Sequence, residues 1–154
     1  MLAAAWCLCS CQCSPGGDPQ QSQLESPLTY LYLSESSSYF KRVQGYEFRA
    51  EDGAYTASFY MANEEELYPV PVDQGWVDTL TGFISQYGMM SWDGFSGSAP
   101  GLLDGTHFFI EFTFADGTKV KASGYGHFPG GYGEASSAID EHFMRLLPED
   151  MRDW

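Results

Sequence analysis

The chain has 154 residues, of which 44% are apolar and 16% aromatic. That composition is too apolar for a disordered chain and suits one packed domain of roughly 120 residues, with no room for a second. Seven Lys and Arg stand against 21 Asp and Glu, giving a formal net charge of −14. Such a charge repels phosphate backbones and anionic lipid headgroups, which argues against nucleic acid as a partner. Solubility is the simplest consequence of the acidity, and attraction of cations or basic partners is the alternative.

All the cysteines of the chain lie near its start, at Cys7, Cys9, Cys11 and Cys13, so a disulfide framework for the body is excluded. Residues 1–8 form an apolar run far shorter than the ~20 residues of a membrane-spanning helix. The run resembles the end of a secretory leader, and Leu8-Cys9-Ser10-Cys11 resembles the lipobox of bacterial lipoproteins, in which a small residue precedes the lipidated cysteine. The resemblance implies a lipid on Cys11 and an extracytoplasmic protein that touches the bacterial cell membrane only through this anchor.

A metal site is the competing interpretation of the four cysteines, because thiolates suit Zn²⁺ or Cu(I). Zinc ligands usually follow a C-x2-C spacing, whereas these cysteines alternate with single residues and have no histidine near them. We therefore favour the leader and predict no metal and no cofactor.

A polar segment separates the leader from the body. Residues 12–26 read QCSPGGDPQQSQLES, which offers little apolar surface to offset the entropy of ordering. The expected organisation is a lipoprotein-signal-like segment at 1–11, a flexible linker at 12–26 and a single domain at 27–154.

The clearest strand pattern precedes the turn at Asp116-Gly117. Phenylalanine and isoleucine alternate with other residues from position 108 to 114, the period of a half-buried strand. A three-residue loop at 115–117 pairs Phe112 with Val120 and keeps one face apolar. The pattern predicts a hairpin closed by a type I turn with a glycine bulge.

An earlier hairpin is predicted around Asp52-Gly53. A two-residue loop pairs Phe48 with Ala57 and Tyr46 with Phe59, which places the aromatic rings on one face and favours a type I′ turn. Residues 28–33 add a short strand whose partner the sequence does not define.

Two amphipathic helices follow the hairpins. Asp73 can cap a helix that continues to about Tyr87, with an apolar stripe formed by Trp76, Leu80, Phe83, Ile84 and Tyr87. A second helix is expected at 132–147, where Ala135, Ile139, Phe143 and Leu146 share a face, His142 lies near that face, and Pro148 ends the helix. The predicted order is β-β-β-α-β-β-α, an α+β fold with an antiparallel sheet of hairpins and both helices packed on one face.

Short motifs in the second half support a family resemblance. Trp92-Asp93-Gly94, Asp116-Gly117, Ala122-Ser123-Gly124-Tyr125 and Phe128-Pro129 before a terminal helix resemble uncharacterised domains of predicted lipoproteins from Gram-positive bacteria. The resemblance covers roughly residues 76–147. It implies an envelope lipoprotein and no particular activity.

Motifs for catalysis or cofactor binding are incomplete. Residues 94–98 have Ser98 where a nucleophile elbow needs its second glycine, and residues 131–136 have Ser136 in place of the third glycine of a dinucleotide-binding loop. Asp93 and Asp104 have no acidic residue between them to complete a calcium loop, and Glu64-Glu65-Glu66 reads as a solvated segment.

Two loops rich in aromatic residues are the candidate binding elements. If residues 89–95 and 124–132 meet at one end of the sheet, they form a shallow groove whose lining we predict as Trp92, Asp93, Phe95, Tyr125, His127 and Tyr132. The alternative is that Trp92 and Phe128 fill the core between helix and sheet.

The function expected from these features is non-catalytic binding at the cell envelope, with an envelope protein, a peptide or a glycan as partner. One alternative is a small cell-wall-directed enzyme that uses Asp93, His127 and Glu134. Another is a structural subunit of an envelope assembly, which would show an exposed strand edge or a large apolar patch.

Overall fold

The computed structural model describes residues 24–36, 43–62, 67–101 and 104–152. The predictions made for the cysteines, including Cys11, and for Glu64-Glu65-Glu66 lie outside these residues. In the part of the chain that is described, no helix is long and apolar enough to cross a membrane.

Within these described residues, seven strands form one open sheet, which gives the chain the α+β class predicted from its sequence. They are β1 (Leu28–Ser36), β2 (Val43–Glu51), β3 (Ala54–Met61), β4 (Tyr68–Pro71), β5 (Ser96–Ser98), β6 (His107–Phe114) and β7 (Lys119–Tyr125). Their order across the sheet is β4-β3-β2-β1-β6-β7-β5. Every neighbouring pair is antiparallel except β5 and β7, which run parallel.

The first hairpin has the predicted register. Phe48 lies opposite Ala57 and Tyr46 opposite Phe59. Asp52 and Gly53 have φ angles of 51° and 78°, the positive pair that a type I′ turn requires. The turn and the aromatic pairing are therefore confirmed.

The second hairpin is also confirmed. Phe112 lies opposite Val120, and the amide of Phe114 donates to the carbonyl of Thr118 at 2.9 Å across a three-residue loop. Gly117 has a φ of 86°, the left-handed conformation expected of the bulge glycine.

The first strand, whose partner the sequence left undefined, joins the two hairpins. Tyr32 of β1 lies opposite Glu47 of β2 on one side and opposite Glu111 of β6 on the other. The chain already contacts the second hairpin before β1 begins, because the Ser26 hydroxyl accepts a hydrogen bond from the Asp116 amide at 3.0 Å.

The predicted order β-β-β-α-β-β-α lacks two short strands that the structure contains. β4 includes Pro69 and Pro71, which break an internal strand but are tolerated at an edge, where only one side of the backbone is paired. β5 has three residues in a serine and glycine segment without any alternating apolar pattern. Neither strand carries the periodicity on which the prediction depended.

Two helices of thirteen residues, α1 (Gln74–Gln86) and α2 (Tyr132–Met144), match the predicted positions. Asp73 caps α1 as expected, its carboxylate accepting from the Trp76 amide at 2.8 Å. α2 ends three residues before the predicted Leu147, because the amides of Leu146 and Leu147 each donate to a carbonyl only three positions back. This tighter turn buries Leu147, and the predicted stripe residue Leu146 is only partly buried.

Both helices pack against the same face of the sheet. The ring centroids of Trp76 in α1 and Phe48 in β2 are 6.1 Å apart, and those of Phe143 in α2 and Tyr46 in β2 are 4.9 Å apart. Since Tyr46 and Phe48 are two positions apart, their side chains share one face of β2. The core therefore lies in a single layer between sheet and helices.

The two helices meet at a stacked pair of rings. His142 of α2 lies parallel to Trp76 of α1, with centroids 4.4 Å apart and planes within 18°. Its Nε2–H donates to the Trp76 carbonyl at 3.0 Å, and its exposed fraction is 8%. Burial lowers the pKa of His142, and the nearby charge of Arg145 lowers it further, although the carbonyl contact opposes both effects.

We predict that this histidine makes folding sensitive to mild acid. Because the pKa of His142 is lower in the folded state than in the unfolded chain, its contribution is complete above about pH 6.5 and is lost as the pH falls through the folded-state value. The urea concentration at the unfolding midpoint should decrease when the pH is lowered from about 7.5 to about 5.5. The decrease should be smaller for His142→Gln. Equal pH dependence in both proteins would contradict the prediction.

Candidate functional site

The face of the sheet opposite the helices carries aromatic rings that cross several strands. Tyr60 of β3, Tyr32 of β1 and Phe109 of β6 form what we call the aromatic row. Tyr32 lies 5.2 Å from Tyr60 and 5.8 Å from Phe109 between ring centroids. The rings of His107 and Tyr125 contact each other at a tilt of 31°, with centroids 4.2 Å apart. His107 lies two residues before Phe109 in β6 and therefore on the same face. All these side chains except the exposed His107 are partly buried, so the row is accessible from solvent.

A glycine in β2 allows the first two rings of the row to meet. Gly45 lies opposite Tyr60 on one side and Ser34 on the other, so Tyr32 and Tyr60 approach each other across a position without a side chain. A Cβ at Gly45 would lie 2.9 Å from the carbonyl oxygen of Leu33, which is backbone and cannot move away cheaply. The aromatic row therefore depends on glycine at this position.

A buried carboxylate fixes the side of the row next to β2 and β3. Glu47 is 3% exposed and accepts hydrogen bonds from the Arg49 guanidinium at 2.7 and 3.0 Å and from the Tyr60 hydroxyl at 3.2 Å. Burial and the adjacent Glu47 charge raise the pKa of Tyr60 to about 12, so its hydroxyl remains a donor at neutral pH. Arg49 also lies over the Tyr30 ring, its Cζ 5.3 Å from the centroid. These contacts hold the rings in place before any partner arrives.

A second cluster of charges lies at the other end of the row. Glu111 of β6 forms ion pairs with Lys119 at 2.6 Å and with Lys121 at 3.8 Å. The Lys121 ammonium lies 5.1 Å from the centroid of the Phe109 ring.

Charge on the open face is balanced, unlike that of the whole chain. Among the described residues, its ion pairs join the cations Arg49, Lys119 and Lys121 to the carboxylates of Glu47, Glu51 and Glu111. Because the formal charge of the chain is −14, the acidic excess lies outside this network. The aromatic row is therefore a locally neutral surface on an acidic protein.

In β1, β2, β3, β6 and β7, the large aliphatic side chains of the described residues lie on the helix-covered face. At the described open-face positions of β1, β2, β3, β6 and β7 there is no Val, Leu, Ile or Met. Those positions hold aromatic, hydroxyl and charged residues, with Gly45 and Ala54 as the exceptions. The sequence carried a signal for this surface. Tyr30, Tyr32 and Phe109 lie on the strand face where polar residues alternate with the apolar residues of the core. The predictions drawn from the loops did not use it.

Two of the six predicted groove residues lie in the core. Trp92 is 3% exposed and its Nε1–H donates to the Gly130 carbonyl at 3.1 Å. Tyr132 is 6% exposed and packs 5.9 Å from Trp92 between ring centroids. Phe128 stacks on Tyr132 at 4.9 Å and is partly buried. Trp92 and Phe128 thus take the positions that the alternative interpretation, a filled core, assigned to them.

The other four groove residues remain at least partly accessible. The rings of Phe95 and the exposed His127 lie 5.5 Å apart, whereas Tyr125 contacts His107 in a tilted arrangement at the margin of the aromatic row. Asp93 is exposed and accepts a hydrogen bond from the Lys121 amide at 3.1 Å. Ligand binding by the six residues stays a prediction, as does catalysis by Asp93, His127 and Glu134.

A separate acidic pocket of about 300 Å³ lies between β1, β2 and α2. Glu35 accepts a hydrogen bond from the Tyr132 hydroxyl at 2.7 Å, and Asp140 accepts one from the Tyr46 hydroxyl. Burial, followed by the hydrogen-bonded carboxylate, raises the pKa of each tyrosine well above its usual range. Both hydroxyls therefore stay protonated and orient the carboxylates. Sequence spacing could not reveal this pocket, because Glu35 and Asp140 are far apart in the sequence.

Comparisons with known proteins supply no family: no model of a protein family matches the chain, and no curated protein is significantly similar to it. Within the described residues, no group of three or more His, Cys, Asp or Glu side chains could hold a metal ion. A functional proposal for this chain therefore depends on its sequence motifs and on the surfaces just described.

We predict that the buried carboxylate stabilises the open face. Glu47→Gln should lower the free energy of unfolding by about 1–3 kcal/mol, because the Arg49 and Tyr60 donors lose a charged acceptor in a desolvated position. Glu51→Gln is the matched control, since Glu51 contacts the same Arg49 at 3.5 Å but its side chain is 72% exposed. It should change the stability by less than about 0.5 kcal/mol. Urea unfolding measures both, and equal effects would contradict a special role for Glu47.

Proposed function

We propose that the chain is a non-catalytic binding domain that acts outside the cytoplasm, anchored to the bacterial cell membrane by a lipid on Cys11. It engages a component of the cell envelope through the aromatic row. The lipobox-like Leu8-Cys9-Ser10-Cys11 and the resemblance to predicted Gram-positive lipoproteins support the location. The aromatic row supports the binding.

One observation carries the binding proposal: partly exposed rings continue across β3, β1 and β6 on a face that no described helix covers. Large rings bury much surface on association, and tyrosine and arginine are enriched among residues that dominate binding energy. Glu47 also holds the Tyr60 hydroxyl, and the Lys121 ammonium lies over the Phe109 ring. A surface ordered in advance loses less entropy on binding than a flexible one.

Open sheet faces with aromatic rings also bind single-stranded nucleic acids, where bases stack on the rings. That function requires a cationic surface to neutralise the phosphates. Here the ion pairs of the face are balanced and the chain carries a formal charge of −14, so the proposed partner is not a nucleic acid.

The location predicts a modified N-terminus. In a bacterial host that processes lipoproteins, mass spectrometry of the mature protein should find a chain that begins at Cys11 and carries a lipid. Cys11→Ser should abolish the lipid, and Cys13→Ser, the matched control, should leave it unchanged. A mature protein that retains Met1 in the cytoplasmic fraction, or that holds a metal on its cysteine thiolates, would refute the anchor.

The proposed binding surface predicts that a substitution within the aromatic row weakens binding to the cell envelope, whereas a substitution outside the row does not. With Cys11→Ser as background, so that the lipid does not contribute, the purified full-length chain should co-sediment with the bacterial cell-envelope fraction. Tyr32→Ala should weaken this binding about tenfold, because it removes the central ring. Tyr68→Ala is the matched control, since Tyr68 is 38% exposed on the edge strand and outside the row. Equal binding by wild type and Tyr32→Ala would exclude the row as the binding surface.

A further inference from the structure

We infer that the partner of the aromatic row is a neutral polysaccharide. The inference rests on the proposed function, because it names the chemistry of the molecule that this surface takes. Four features of the open face point to a glycan: its mixture of rings and polar groups, the absence of Val, Leu, Ile and Met from its described positions in β1, β2, β3, β6 and β7, its balanced charge and its shape.

The mixture of groups suits a sugar. A pyranose ring has apolar C–H faces that stack on aromatic rings and a rim of hydroxyl groups that require hydrogen bonds. The row supplies the rings of Tyr32, Tyr60 and Phe109. Side chains beside it supply donors and acceptors, among them the half-exposed Arg49 and the Lys119–Glu111 pair.

The lack of aliphatic residues argues against a protein as the partner. The centre of a protein interface is more apolar than its rim and depleted of charge, and it often contains a pocket for an anchoring side chain. The open face instead places the Glu47–Arg49 ion pair directly beside the row, and its described positions contain no Val, Leu, Ile or Met. A protein would have to desolvate the half-exposed Arg49 guanidinium without an apolar core in return.

Charge selects among glycans. An anionic polymer would be repelled by a chain of charge −14, and a cationic one would be drawn to the acidic surfaces outside the row. The balanced ion pairs around the row favour neither sign. A neutral polymer is therefore the complementary partner.

The arrangement of the row suits an extended chain. Its three rings belong to different strands, so the row crosses the strand direction. Because the Tyr32 ring is inclined by 77° to that of Tyr60 and by 53° to that of Phe109, consecutive sugars of a polysaccharide lying across the sheet would meet ring faces and ring edges in turn.

Co-sedimentation of the full-length Cys11→Ser protein tests the inference, with insoluble chitin and cellulose as neutral polysaccharides and bead-bound polygalacturonate as an anionic one. The envelope fraction is included before and after exhaustive protease digestion. The variants are Tyr32→Ala, Tyr32→Phe, which keeps the ring, and the control Tyr68→Ala. Urea midpoints of all variants ensure that only folded proteins are compared.

We expect binding to chitin or cellulose and to the protease-digested envelope, about tenfold weaker for Tyr32→Ala and nearly unchanged for Tyr32→Phe and Tyr68→Ala. Added salt should change this binding little, because the surface is neutral. Loss of envelope binding after protease treatment would identify a protein partner, and binding to polygalacturonate alone would identify an anionic glycan. Either result overturns the inference while the row remains a binding surface. Envelope binding that is insensitive to Tyr32→Ala would overturn the proposed function itself.

Discussion

The pairing of β1 with both β2 and β6 is the constraint on which the rest of the molecule depends. Without it, the sheet would divide into two three-stranded parts, β4-β3-β2 and β6-β7-β5, with no backbone hydrogen bonds between them. The same pairing divides the side chains of β1, sending Leu31 and Leu33 into the core and Tyr30 and Tyr32 to the open face. Because side chains alternate along a strand, a shift of one residue would exchange the two sets and destroy core and row together.

The helix layer holds this register through neighbouring rings of β2. Phe48 contacts Trp76 of α1, and Tyr46 contacts Phe143 of α2. Both helices therefore pack against the same strand. The stacked His142 then joins helix to helix at the cost of placing an ionisable ring in the interior. Core packing and the orientation of the open face are thus linked through one strand.

Local features of the sequence were sufficient for the hairpins and helices, because Asp52-Gly53, Gly117 and the Asp73 cap act within a few residues. The partners of β1 depended on contacts far along the chain, and the edge strands lack the alternation that marks buried ones. Site prediction was weaker for the same reason. Grouping residues by loop placed Trp92 in a groove, whereas the structure buries it, and nothing local indicated that Tyr32 and Phe109 would be neighbours.

The prolines of β4 have a consequence for contacts between copies of this domain. The Val72 amide donates inward to the Tyr55 carbonyl, so by alternation the backbone positions that point away from the sheet are 69 and 71. Both are proline and have no amide hydrogen to offer. A neighbouring copy therefore finds no complete template there for strand addition, and a dense array of these domains would resist fusing into continuous β-polymers.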